Sequence, residues 1–378
     1  MKRANDFIYI DTASQLADIC LKLARSDWLA LDTEFIRERT YYPKLCLLQI
    51  GTAELTVCVD PLALDDLSPL LTLIYSPQIT KIFHASHQDL EIFFLLQGKI
   101  PTPIFDTQLA APLLGYPSQA AYGTLVNTLL DVQLDKAHAR TDWSKRPLSQ
   151  QQLEYAADDV RYLGPLYLKL KNELEECSRL NWTEDDFNEL SKLSRYNNLP
   201  ENAWQRIKSA RHLNGGKLIT LQALAAWRET ASQQKNLPRS WLIKDEILTE
   251  IARAAPTTLN ELRALPNISE ADLTRHGKAI IDSVNTSLNS NLDSGLDSDT
   301  TRLPQHIELT AQQKSLASSL MKMLLTCAQA NNLQPGSLAS RKDIEQLLKG
   351  NQEINLLKGW RYEIAGEKIL AAIKSENN

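Results

Sequence analysis

The chain has 378 residues and a formal net charge of −5, with 43% hydrophobic and 23% charged residues, the balance of ordinary soluble globular protein. That length predicts two or three domains. No apolar run approaches about 18 residues, and the basic residues of Met1–Asp6 have no apolar stretch behind them, so neither a membrane span nor a secretory leader is expected.

The five cysteines, Cys20, Cys46, Cys58, Cys177 and Cys327, are odd in number and scattered. They predict reduced thiols in a cytoplasmic protein, with neither a zinc site nor a disulfide framework. Charge is unevenly spread: residues 1–200 carry 27 Asp+Glu against 19 Lys+Arg, while 201–290 and 307–378 carry small cationic excesses of +3 and +2. An acidic first part suits metal binding, and slightly basic later parts suit phosphate contacts.

In chain order, Phe7–Ile10 reads as a strand. Thr12 with Gln15 resembles a capping box opening a helix over 14–24. Strands are expected at 28–35, 45–50 and 55–59, separated by the turn signals Tyr41-Tyr42-Pro43 and Gly51. A helix over 67–75, a strand over 81–84 and an amphipathic helix over 87–96 follow, and Ile104-Phe105-Asp106-Thr107 leads into another helix. The longest helix is predicted from Ser149, capped with Gln152, to about Glu176. Sequential strands followed by strand–helix alternation predict a mixed sheet flanked by helices.

Beyond about residue 200 strand signals cease. Segments 207–286 and 307–378 look related: Ala231…Asn236-Leu237-Pro238 parallels Ala328…Asn332-Leu333-Gln334-Pro335, and an apolar helix follows each. The pattern suggests an internal duplication of about 90 residues. Between the two, Asn285–Thr301 is small, polar and acidic, the composition of a flexible linker.

Chemistry centres on Trp28–Phe35, an apolar run ending in Asp32 and Glu34. Residues i and i+2 of a strand share a face, so both carboxylates project together. Two like charges so close are costly without a cation between them, and a divalent metal is the obvious candidate; the alternative is an ordinary strand end with solvated acids. Asp89 opens a helix after a strand, where a carboxylate also simply complements the dipole. Tyr155 and Asp159 sit at i and i+4, on one helical face.

Asp-x-Glu, a distant Asp and Tyr-x-x-x-Asp together match the three-motif pattern of the DEDD exonucleases, tyrosine variant. Leu31-Asp32-Thr33-Glu34-Phe35, Arg39-Thr40-Tyr41-Tyr42-Pro43, Phe105-Asp106-Thr107-Gln108, Thr141-Asp142-Trp143-Ser144-Lys145-Arg146-Pro147-Leu148 and Leu153–Val160 resemble the ribonuclease D family. The C-terminal segments are similar to the helicase-and-RNase-D C-terminal (HRDC) domain, present twice. The resemblance implies an RNase H-like α/β exonuclease domain over 1–200, with a mixed sheet flanked by helices. Two all-α HRDC helical bundles over 207–286 and 307–378 would follow, joined by a linker over 287–306.

It further implies a 3′–5′ exoribonuclease that trims tRNA precursors and other small RNAs to release nucleoside 5′-monophosphates. Two divalent cations, Mg²⁺ or Mn²⁺, about 4 Å apart would serve the chemistry. Asp32 would be shared between them, with Glu34 and Asp159 on the nucleophile side and Asp89 on the other. Tyr155 would orient the attacking water. Asp159 directly precedes Val160-Arg161-Tyr162-Leu163, as the family's acid does, so Asp158 is expected to be solvated. His84, His87 and His138 lie off that helix, and His87 would at best face substrate.

Thr33, Phe35, Arg37, Arg39, Tyr41, Tyr42, Lys145 and Arg146 are candidates for contacting a single-stranded 3′ end. Lys217, Arg228, Lys235, Arg239, Lys244, Arg341 and Lys342 are candidates for the RNA backbone. RNA is the expected partner, with no membrane and no obligate protein partner. A DNA 3′ exonuclease and a non-catalytic RNA-binding module are the rival readings.

Overall fold

The computed structural model describes residues 6–135, 141–293 and 309–376. They form two compact units. One comprises the chain up to Ile36, Lys44–Tyr196 and the segment from Leu309; the other comprises Arg37–Pro43 and the chain from Asn197.

The first unit is built on β1 (Ile8–Ile10), β2 (Trp28–Ile36), β3 (Lys44–Gly51), β4 (Thr56–Val59), β5 (Thr80–Phe83) and β6 (Ile104–Asp106), in the order β1-β4-β3-β2-β5-β6. β3 is antiparallel to β2 and β4, and the remaining pairs are parallel, so the sheet is mixed. Strand alternation sorts β2 cleanly. Leu29 and Leu31 join a core with Leu16 and Leu23 of α1 (Ala13–Leu23), Leu70 of α2 (Ser68–Ile74) and Phe93 of α3 (His87–Gln97). Trp28, Ala30, Asp32 and Glu34 face the other way.

That second face is covered further along the chain. After α4 (Thr107–Ala110) and α5 (Tyr122–Leu130), α6 (Gln150–Arg161) and α7 (Leu163–Glu176) lie against it. The approach is close enough to require glycine twice. A Cβ on Gly51 would stand 2.6 Å from the Val160 carbonyl oxygen, and one on Gly164 would stand 2.2 Å from the Trp28 ring.

The single helix expected from Ser149 to Glu176 is therefore two. The Ser149–Gln152 capping box forms as anticipated, but the helix breaks at Tyr162. Pro165 has no N–H to give the Arg161 carbonyl, and its ring crowds that turn. The longest described helix is instead Glu270–Asp293, in the second unit.

The same unit continues through α8 (Glu184–Leu190). It also holds the C-terminal helices α14 (Ala311–Ala330), α15 (Pro335–Leu338), α16 (Arg341–Leu348), α17 (Gly359–Arg361) and α18 (Glu367–Glu376), numbered after the second unit's own. Leu320, Leu324, Ile344 and Trp360 share one core with Phe105, Val126, Leu166 and Tyr167. The Trp182 and Trp360 rings stack at 4.4 Å, and Arg361 bonds Asp186 at 2.6 Å. The expected boundary at residue 307 thus does not divide the packing.

The second unit contains α9 (Gly215–Lys235), α10 (Arg239–Leu242), α11 (Asp245–Ala254), α12 (Leu259–Arg263) and α13 (Glu270–Asp293) around Leu221, Leu224, Leu248, Ile251 and Ile280. The linker expected from Asn285 begins as helix, because Val284 and Leu288 keep α13 on this core; residues 294–306 lie outside the described ones. The Arg37–Pro43 loop is fastened within this unit. The Tyr41 hydroxyl donates to the fully buried Glu229, which Arg239 also grips at 2.5 and 2.7 Å. The Asn236 side chain accepts the backbone N–H groups of Tyr41 and Tyr42.

Candidate metal centre

The four acids reach the site on three elements, β2, α3 and α6. Asp32 and Glu34 stand opposite Gln49 and Leu47 in the β2–β3 ladder, whose register shifts only after Glu34, so the two carboxylates share the face under α6. α6 contributes Asp159. One carboxylate oxygen from each of Asp32, Glu34 and Asp159 lies within 4.8 Å of the others.

Asp89 enters from the first turn of α3. The preceding turn, with Ala85 at φ 57°, is held by the buried Asp106 carboxylate, which accepts the N–H groups of Ala85 and Ser86 at 3.2 and 2.9 Å. Asp89 is 7% exposed and accepts the Thr33 hydroxyl at 2.5 Å. Asp89 stands outside the group of three oxygens.

These carboxyls are strained electrostatically. Burial, then the charges of Asp32, Asp159 and Asp89, pushes Glu34 up to about 10. Burial, then Asp158 and Asp89, pushes Asp159 up to about 7. Asp32 and Asp89 are raised well above the carboxylate range, chiefly by burial and then by Asp159 and Asp32 respectively. Burial, reinforced by Asp159, Glu34 and Asp32, raises the Tyr155 phenol.

A cleft of about 420 Å³ opens on the cluster, lined by Asp32, Thr33, Glu34, Phe35, Tyr155 and Asp159, and also by His84, Gln88, Tyr122, Thr141, Trp143 and Leu163. No Lys or Arg lines it among the described residues. Converging hard oxygen donors with no protein cation fit Mg²⁺ or Mn²⁺ and give zinc no soft ligand. The His84 ring nitrogens are occupied by Thr107 at 2.9 Å and the Ala120 carbonyl at 3.0 Å.

Several substrate candidates are committed elsewhere. Arg146 bonds both Asp60 oxygens, at 2.5 and 2.7 Å, and the Cys46 carbonyl at 2.7 Å, so it anchors its loop to the sheet rather than offering a free cation. Thr33 is buried and spends its hydroxyl on Asp89. Tyr41 and Arg239 are engaged with Glu229, and Arg228 is buried against the Ile243 carbonyl and Asp245. Lys145 is exposed and pairs with Asp142 at 3.7 Å. Arg37 and Arg39 are exposed, and Tyr42 is half-buried edge-on to Tyr41.

Asp158 is only partly solvated: its side chain is 29% exposed and pairs with Arg161. His87 packs its ring on Tyr196 at 5.5 Å, and His138 lies outside the described residues. Sequence reasoning missed Tyr122, whose hydroxyl donates to the Asp158 carbonyl at 2.9 Å beside the cleft; nothing local in the sequence marks it. It also passed over Trp143 and Thr141, which stand in a stretch whose cations drew attention instead.

Known proteins resemble this chain over nearly its whole length. Residues 7–175 match a 3′–5′ exonuclease family model, and residues 219–284 match the HRDC domain. The chain is 38% identical to ribonuclease D of Granulibacter bethesdensis, covering 97% of this chain and 92% of that protein. It is 39% identical to ribonuclease D of Sphingobium indicum, covering 97% and 94%. Among solved structures, it resembles Escherichia coli RNase D, described as an exoribonuclease involved in structured RNA processing. The TM-score there is 0.85 and the identity 32%, over 98% of this chain and 99% of that one.

Proposed function

This chain belongs to the ribonuclease D family and is an exoribonuclease, and we propose that it trims 3′ extensions of tRNA precursors and other small structured RNAs. It would work from the 3′ end and release nucleoside 5′-monophosphates. The observation that carries this reading is the convergence of Asp32, Glu34 and Asp159 oxygens within 4.8 Å, in a cleft lined by acids and aromatics.

When bound, a pair of Mg²⁺ or Mn²⁺ ions would supply water activation and stabilisation of the leaving 3′ oxygen. Asp32, Glu34 and Asp159 would hold the nucleophile-side ion, with Asp32 shared and Asp89 serving the other. Tyr155 stands one helical turn before Asp159 and lines the same cleft. Its raised pKa keeps the phenol protonated near neutral pH, so its hydroxyl orients the attacking water rather than acting as a base. Phe35 is placed in the cleft wall, where its ring would stack on the terminal base.

The helical parts would hold the RNA body. α14 to α16 repeat the order of α9 to α11, a long helix, a one-turn helix and a short helix. On that basis we read residues 307–378 as a second HRDC-like module, following a first over 207–286. Exposed Lys217, Lys235, Lys244, Arg341 and Lys342 are the remaining backbone-contact candidates. The scattered cysteines, with Cys20, Cys46, Cys58, Cys177 and Cys327 all unpaired, fit a reducing compartment, and we place the enzyme in the cytoplasm.

A 5′-labelled tRNA precursor with a 3′ extension tests the reading. A ladder shortening one nucleotide at a time, with 5′-monophosphates released, is expected. A single internal cut, 3′-monophosphate products or preference for a DNA strand would overturn it, and binding without cleavage would favour the non-catalytic module.

A further inference from the structure

Gln49 lies on β3 directly across from Asp32. Opposite residues of an antiparallel pair put their side chains on one face, with Cβ atoms about 4.5–5.5 Å apart. Its side chain therefore shares the face of Asp32 and Glu34, between β2 and Cys58, its partner on β4. Leu47 and Cys58 on that face belong to an apolar cluster with Leu153, Ala156 and Ala157 of α6.

An apolar side chain would suit such a place, yet Gln49 is 0% exposed and both Oε1 and Nε2 lack a hydrogen-bond partner. Leaving a buried polar group unmatched is destabilising. The acceptor nearest in register is Asp32, an acid of the metal cluster.

We propose that Gln49 is a positioning residue for Asp32: a turn of its unpartnered amide brings Nε2–H to the Asp32 carboxylate opposite and fixes the orientation in which that carboxylate meets cations. The inference rests on reading the acids as a cation site. Glutamine suits the task because a carboxylate offers about four lone-pair sites, and one neutral hydrogen bond leaves the others, and the full negative charge, for cations. A lysine or arginine in its place would compete with the metal. Groups that orient metal ligands are typically worth about 10–100-fold in metal affinity or activity.

The test is Gln49→Met, which keeps length and volume and removes the amide. Mn²⁺ affinity of the RNA-free protein, read by electron paramagnetic resonance, should weaken about 10–100-fold. KM for RNA should stay unchanged, while kcat falls at limiting metal and recovers with excess Mn²⁺. Wild-type affinity and kcat in Gln49→Met would overturn the proposal. If that variant fails to fold, the side-chain amide of Gln49, assigned by NMR in the wild-type protein, decides. It should shift in Asp32→Asn, and an unmoved resonance overturns the proposal. Wild-type protein that binds no Mn²⁺ would remove the cation reading and this proposal together, whereas failure of Gln49→Met alone removes only the proposal.

Discussion

Tyr155 and Asp159 stand one helical turn apart at one end of the cleft, and each makes a distinct demand on experiment. Tyr155→Phe removes the hydroxyl that orients water and leaves the ring packed 6.2 Å from Trp143. It should lower kcat by about 10²-fold, with metal affinity and KM little changed; an unchanged kcat would remove Tyr155 from the reaction. The raised acids predict a pH dependence. Asp159 at about 7 and Glu34 at about 10 hold protons more tightly in the native state than in the unfolded chain, where both titrate near 4. Their contribution to stability is therefore complete below about pH 4 and lost as pH rises through about 7 and on toward 10. In EDTA the Tm should fall between pH 5 and 9, and Mg²⁺ should offset most at the alkaline end. At this scale the acids were legible because i, i+2 and i, i+4 spacings are properties of strand and helix alone. Arg146 was not, because its partner Asp60 lies 86 residues away and only the tertiary fold joins them.

Elements were legible where local pattern decides them, and less so where packing does. The capping boxes at Thr12 and Ser149 opened helices as expected. Pro165 broke the long helix, and the apolar positions Val284 and Leu288 extended α13 into a stretch whose composition reads as linker. The seam between α6–α7 and the sheet depends on Gly164, and Gly164→Ala would press a methyl into the Trp28 ring. Overpacking of this kind costs about 1–3 kcal/mol, measurable as a lowered urea midpoint with an unchanged slope. A wild-type midpoint would show that the seam yields freely. Lys81 is a different case: completely buried, it gives its ammonium protons to the carbonyls of Ser76, Ile79 and Thr102 at 2.5–2.7 Å, binding the turns around β5. Nothing local in the sequence announces three carbonyls converging on it.

At the scale of the molecule, the mixed sheet followed from strand spacing, its last strand ending at Asp106 with only helices described beyond it. How the helices distribute did not, since it depends on which apolar faces meet. The segment from Leu309 completes a core with Phe105, Leu166 and Tyr167 in the first unit. A chain ending at residue 306 should therefore expose Leu166, Tyr167 and Trp182 and lose stability throughout the catalytic unit, seen as aggregation or a lowered Tm. A truncated chain with wild-type Tm and nuclease activity would contradict the shared core.

Asp32, Glu34 and Asp159 are proposed as a divalent-cation site for RNA hydrolysis. The most direct measurement of this is turnover on a 3′-extended single-stranded RNA with Mg²⁺ or EDTA, comparing wild-type protein with Asp32→Ala. The expected result is stepwise shortening in Mg²⁺ that EDTA abolishes and that Asp32→Ala lacks while folded. Cleavage that survives EDTA, or that Asp32→Ala retains, would contradict it.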